Sequence, residues 1–171
     1  MTRYVAFLRG VSPLNCRMPA LKQAFECAGF TDVKTLLSSG NVAFDARTAS
    51  EAALERRAEA AMEAALGRRF HTIVRSAAHL RSLLADDLLT PLGVPPQAKR
   101  VITFMRGPAE PRVALPLGRD GAAIMCVQGR EAFSAYLRGA EGPVFMQLIE
   151  KAFGTEVTTR TWDTVARCAR A

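Results

Sequence analysis

Residues 29–45 read GFTDVKTLLSSGNVAFD. Two short apolar-rich runs, 33–37 and 42–45, flank Ser38-Ser39-Gly40-Asn41, whose glycine and asparagine tolerate the positive φ that tight hairpin turns demand. A β-hairpin is predicted here, and what stands on either side of it decides the fold.

Upstream, Leu21, Ala24, Phe25 and Ala28 recur at i, i+3, i+4 and i+7, which predicts a helix over 19–28. Pro19 suits its first position, and Gly29 suits the left-handed residue that ends it. Phe25 and Phe30 then occupy the two positions whose contact accompanies a Schellman stop. Before the helix, residues 3–9 form a strand apolar on both faces, Tyr4, Ala6 and Leu8 against Val5 and Phe7, so it belongs in the middle of a sheet.

Downstream, Thr48-Ala49-Ser50-Glu51 reads as a capping box opening a helix with Leu54, Ala58, Ala61, Met62 and Ala65 on one face and Gly67 at its end. Residues 70–75 are a fourth strand, and 77–84 start a short helix. Strand, helix, strand, strand, helix, strand is the split βαβ, or ferredoxin-like, arrangement, with strand order 4-1-3-2.

The proline-rich segment 90–96 cannot continue regular structure. The expected organisation is therefore a ferredoxin-like domain with an extra helix over 1–89, a linker over 90–98 and a second, smaller α+β unit over 99–171. In that unit a strand at 100–105 leads into a loop with Pro108, Pro111 and Pro116. A hairpin over 122–127 and 132–137 turns at Gln128-Gly129-Arg130, and a helix covers 143–153. Thr161 is placed as N-cap of a last helix carrying Trp162, Val165, Ala166 and Ala169 on one stripe. The fold class is α+β.

No apolar run approaches the roughly 20 residues of a membrane helix, and the first residues lack the features of a signal peptide. A cytoplasmic protein is expected. Cys16, Cys27, Cys126 and Cys168 form no C-x-x-C pair, and neither His71 nor His79 has a partner at zinc spacing, so reduced thiols, no metal and no cofactor are expected. The formal charge of +7 is spread over the chain: residues 1–98 hold 12 basic and 9 acidic side chains, residues 99–171 hold 11 and 7. There is no basic tail of the kind that neutralises nucleic-acid phosphates.

The motifs G-x-x-x-x-G-K-[ST], G-x-G-x-x-G after a strand, H-E-x-x-H and G-x-S-x-G are absent, which removes their enzyme classes from consideration. No spacing unites Ser39 with His71 as nucleophile and base, and no catalytic residue is assigned. Topology offers a candidate site instead. In the 4-1-3-2 order, the end of the first strand and the turn between the second and third lie at one edge. Arg9-Gly10 thus comes beside Ser39-Gly40-Asn41, a grouping of guanidinium, small residues and a carboxamide suited to an anion or carboxamide ligand.

The stretches RYVAFLRGV (3–11), GFTDVKTLLSSGNVAFD (29–45) and TTRTWDTVARCA (158–169), in this order, resemble an uncharacterised, mainly bacterial group, the domain-of-unknown-function family 1697. The resemblance implies an α+β protein with a ferredoxin-like first half, and implies no established activity. The family's patterns are R-G-I-N-V-G-G followed by a lysine, Q-S-G-N, G-x-G-x-S-K-L and R-N-W-x-T. They carry over to Arg9, Gly10, Ser39, Gly40, Asn41, Arg160, Trp162 and Thr164. Arg160 and Thr164 then flank the start of the last helix, where the dipole favours an anion. Trp162 opens an apolar stripe, the usual place of a core residue.

Two loops depart from these patterns. Val11-Ser12-Pro13-Leu14-Asn15-Cys16 carries neither the glycines nor the lysine, and Gly139-Ala140-Glu141-Gly142-Pro143-Val144-Phe145 lacks the serine and lysine and adds an acidic side chain.

The reading that joins these observations is a protein binding a small anionic or nucleotide-like ligand between its two halves, with Arg9, Asn41 and Arg160 gripping it. The alternative is a non-catalytic interaction or scaffold protein in which the same polar residues tie the halves together. A nucleic-acid module is a third reading, because RNA-recognition domains share the βαββαβ order. The third strand, NVAFDA, lacks their aromatic octamer.

Overall fold

A computed structural model describes residues 1–137, 139 and 143–171. The expected features at Ala140, Glu141 and Gly142 lie outside the described residues. Contacts divide the chain into two compact units, Met1–Ser82 with Ala166–Ala171, and Leu83–Val165. The proline-rich segment expected as a linker falls inside the second unit, where Thr90–Leu92 forms a 3₁₀ turn closed by Gly93 at φ +72°.

The first unit runs β1 (Thr2–Leu8), α1 (Met18–Cys27), β2 (Thr31–Leu36), β3 (Asn41–Ala46), α2 (Glu51–Leu66), β4 (Thr72–Ser76) and the start of α3 (Ala77–Asp86). Its sheet has the order β2-β3-β1-β4, antiparallel throughout, which is the 4-1-3-2 order read from the sequence. β1 is central, and Val5, Ala6 and Phe7 are fully buried because both faces of the sheet are covered. On one face Tyr4, Ala6 and Phe44 join Leu21, Phe25 and Phe30 of the α1 region and Leu54, Ala58 and Met62 of α2 in one core. Burying each of the large side chains contributes about 1.5–3 kcal/mol.

The end of α1 is a Schellman stop: Gly29 sits at φ +83°, its N–H donates to the Glu26 carbonyl at 2.9 Å, and the Phe30 N–H donates to the Phe25 carbonyl at 3.3 Å. The Phe25 and Phe30 rings meet with centroids 5.7 Å apart. Arg57 of α2 donates to the Ala28 carbonyl and lies 4.7 Å above the Phe30 ring. This places a cation at the negative end of the α1 dipole.

Three local expectations are corrected. The left-handed residues of the β2–β3 turn are Leu37 (φ +58°) and Gly40 (φ +84°), not Asn41, which is already in β3 opposite Phe7. The α2 cap is Ser50, whose hydroxyl accepts from the Ala53 N–H at 3.2 Å; the Thr48 hydroxyl is bonded instead to that of Thr2. On α2, Ala65 is exposed, whereas Glu55 and Glu59 are buried.

Those two carboxylates face β4, the edge strand. Its outward N–H groups at Thr72, Val74 and Ser76 donate to Glu59 at 3.0 Å, Glu55 at 2.9 Å and Glu51 at 3.3 Å. Four helical residues rise about 6.0 Å and two strand residues about 6.8 Å, so one glutamate per helical turn keeps step with every second strand residue. The opposite edge, β2, is irregular between Thr31 and Lys34, with Asp32 at φ +43°. A bulge and a lysine are common ways of blunting an open edge.

The second unit contains β5 (Lys99–Met105), β6 (Leu117–Arg119), β7 (Ala122–Gln128), β8 (Glu131–Tyr136), α4 (Pro143–Phe153), β9 (Val157–Thr161) and the first turn of α5 (Trp162–Arg170). Its antiparallel sheet has the order β6-β7-β8-β5-β9. The β7–β8 hairpin turns at Gly129 (φ +60°), as expected, while β6 and β9 are additions to the sequence reading. Phe145, Leu148, Ile149 and Ala152 of α4 pack on Val101, Ile124, Ala132 and Val157 of the sheet.

Candidate functional site

β1 ends where its last N–H groups reach both neighbours: Leu8 donates to the Gly40 carbonyl at 2.8 Å and Arg9 to the His71 carbonyl at 2.9 Å. Arg9, Gly10, Ser39, Gly40 and Asn41 therefore share one end of the first unit's sheet. Gly40 is there for space as well as conformation, since a Cβ would stand 2.9 Å from the Val11 Cβ and 3.1 Å from the Leu8 carbonyl oxygen. At Gly10 (φ +82°) the surroundings are open. Asn41 is fully buried, and its amide nitrogen donates to the Leu36 carbonyl at 3.0 Å and the Ser39 hydroxyl at 3.1 Å. That nitrogen holds the turn; Ser39 and Gly10 are exposed.

The loop after Gly10 closes on itself. The Asn15 side chain accepts from the Ser12 N–H at 2.9 Å and donates to the Gly10 carbonyl at 2.7 Å. The N–H groups of Asn15 and Cys16 both donate to Ser12. Val11 and Cys16 are buried anchors, and Leu14 at the tip is 99% exposed. The loop leads into α1 at Arg17, and α1 has neither a side-chain cap nor an acidic residue in its first turn.

Arginines gather at this end, one of them against the carboxylates of Glu59 and Glu63 of α2. The three segments meeting there, 9–17, 36–41 and 67–71, contain Arg9, Arg17, Arg68 and Arg69 and no carboxylate. Arg69 is paired with Glu63 at 2.7 Å, and Arg68 lies 4.7 Å over the Phe70 ring. Burial pushes the Cys16 thiol above its usual range, and the nearby Arg68 charge partly opposes that rise.

Arg160, Trp162 and Thr164 belong to the second unit. Arg160 lies on β9, just before the last helix, and donates to the Thr158 hydroxyl at 2.9 Å and the Thr159 carbonyl at 2.8 Å. The Thr161 side chain caps α5 by accepting from the Thr164 N–H at 3.3 Å, as predicted. Trp162 is half-buried beneath Arg100, whose guanidinium carbon is 5.8 Å from the ring centroid.

Arg100 also donates to Asp87 at 3.0 Å and to the Thr90 hydroxyl at 2.9 Å. Hydrogen bonding from Thr90, with Arg100 beside it, holds the Asp87 carboxyl below its ordinary range. This cluster was not read from the sequence. Its one local signal is Asp87 three residues before Thr90-Pro91, a spacing at which an Asp side chain starts a turn.

Residues 1–133 match the family model described as "Protein of unknown function (DUF1697)". Among solved structures the chain is similar to the conserved bacterial protein SP0830 from Streptococcus pneumoniae, at 16% identity and a TM-score of 0.69, covering 99% of this chain and 97% of that one. That likeness shows the fold. No curated protein matches.

Proposed function

Because the chain belongs to the family described as "Protein of unknown function (DUF1697)", which supplies no activity, its function has to be read from its own sites, and we propose that it binds a small anionic or nucleotide-like ligand at the Arg9 end of the first unit's sheet. The supporting observation is the gathering of Arg9, Arg17, Arg68 and Arg69 in the segments that meet there, Arg69 being ion-paired with Glu63 and Glu59 of α2, beside an α1 N-terminus without a side-chain cap. Arg9 offers a planar fork of donors, and exposed backbone at Gly10 lets an oxyanion approach closely. The exposed Ser39 hydroxyl, which accepts from the Asn41 amide nitrogen, would add a further polar contact.

A thermal-shift screen of nucleotides, phosphosugars and small carboxylates tests this reading. A ligand at 100 times its Kd stabilises by about 2.7 kcal/mol, roughly 5–11 °C for a chain of this size. The shift is expected to vanish in Arg9→Ala. The same screen on Arg160→Ala asks whether the β9 arginine contributes to the same binding event. Silence across the panel refutes the proposal.

A second reading, a non-catalytic interaction protein, is favoured by Leu14. A fully exposed leucine on a proline-containing turn, pinned by local hydrogen bonds, is a preorganised contact residue. Leu14→Ser would then abolish partner capture and leave any small-ligand shift unchanged.

A further inference from the structure

The second unit contains a hollow that no part of the Arg9 reading uses. Residues of the segment 92–98 and of the β7–β8 hairpin line a half-open hollow of about 190 Å³. Its floor is made of missing side chains. Ala123 and Ala135 stand directly opposite each other across the two strands, and Gly121 adjoins them. Leu92, Pro95, Met125 and Leu137 form the walls, and no charged side chain of the described residues lines the space.

Two further observations point to an occupant. Leu92 and Leu137 are 48% and 40% exposed, among the few large apolar side chains of the described residues left in water, and both border this one hollow. The walls are also fixed in advance. Gly93 donates to the Thr90 carbonyl at 3.1 Å, Ala98 to Pro95 at 3.0 Å and Leu137 to Gly121 at 2.9 Å. A preformed wall costs little ordering when a ligand enters.

We propose that this hollow is a binding site for a small neutral molecule carrying a single aromatic ring. The size supports it, because an apolar space of about 150 Å³ is already large enough to admit benzene. The lining supports neutrality: a charged ligand would give up hydration against described lining residues that offer it no counter-charge. Binding covers the exposed faces of Leu92 and Leu137, and that apolar burial is the driving force.

Benzyl alcohol and benzoate, which share a ring and differ in charge, are the probes, read by amide chemical shifts of ¹⁵N-labelled full-length protein. Saturable shifts at Gly93, Gly121 and Leu137 are expected with benzyl alcohol, with benzoate binding roughly tenfold weaker or more. Ala123→Leu, which fills the floor, and Leu92→Asp, which charges the exposed mouth, should each abolish the shifts; because Leu92 is at the surface, the second variant keeps the fold. Absence of saturation up to the solubility limit overturns the proposal, as does equal binding of benzoate or binding that survives in both variants. Signal broadening at these residues that grows with protein concentration before any probe is added marks a contact between copies, and overturns it too.

Discussion

Replacing Glu55 by alanine tests the most unusual device in the first unit. Glu55 is 4% exposed and accepts from the Val74 N–H at 2.9 Å, on an edge strand with no further strand beside it. A hydrogen bond to a charged group contributes about 1.5–3 kcal/mol net, and a buried donor left without an acceptor costs about 1–3 kcal/mol. These overlap rather than add, so Glu55→Ala is expected to lose about 2–3 kcal/mol. Glu55→Gln keeps a carbonyl acceptor and loses only the charge assistance, about 1 kcal/mol.

Urea unfolding of both variants, compared at constant m-value, gives the two numbers. Native-state hydrogen exchange locates the effect, with Val74 protection falling in Glu55→Ala and remaining in Glu55→Gln. A second expected symptom is self-association of Glu55→Ala at high concentration, since an uncovered edge recruits other strands. If the two variants are equally destabilised, the carboxylate acts by packing and not as an acceptor. If alanine costs less than about 0.5 kcal/mol, within the range of ordinary surface changes, the ladder is ornamental and the reasoning fails.

Four further outcomes are expected. Gly40→Ala combines a left-handed φ with contacts near 3 Å and should cost about 2–4 kcal/mol, against about 1–2 for Gly10→Ala, where only the backbone objects; equal losses by denaturation would show that the close approach to Val11 is unimportant. Asp87 titrates below its unfolded value of 3.8, so its contribution to stability is complete above that value and disappears as pH falls through the lower folded one; Asp87→Asn should remove that part of the acid-side slope, and an unchanged slope refutes the assignment. Cys27 is exposed, Cys16 and Cys168 are buried, and burial raises the Cys126 thiol. Native protein should therefore show one fast-reacting thiol, lost in Cys27→Ser, and full reactivity only in denaturant. Arg57→Ala uncovers the carbonyl end of α1 and is expected to destabilise by about 1 kcal/mol through the lost capping bond; no change in urea midpoint would remove that bond from the account.

How much of this was legible depended on whether the cause was local. The Schellman stop at Phe25-Gly29-Phe30 is written within six residues and appears as read. The order of the first sheet follows from element order alone. The glutamates at 55 and 59 were not legible, because carboxylates four apart on a helix resemble a solvated face until an edge strand is set beside them. Leu37 rather than Asn41 took the left-handed conformation because β1 pulls Asn41 into register opposite Phe7, and that tertiary demand outranks turn preference. β9 was hidden because VTTRT is polar and runs straight into a helix cap. At the candidate site, element order implies that the end of β1 lies at the edge of the hairpin turn, where Leu8 bonds Gly40; nothing in the sequence signals that the Asn41 amide nitrogen is spent on holding that turn.

The loop from Gly10 to Cys16 satisfies its own polar groups through Asn15 and is held at both feet by Val11 and Cys16. Its tip residues support nothing beneath them, so Pro13 and Leu14 are exchangeable without renegotiating the sheet. The tip is thus a cassette that a designer can rewrite, with the fold carried by the two feet of the loop and not by its crown.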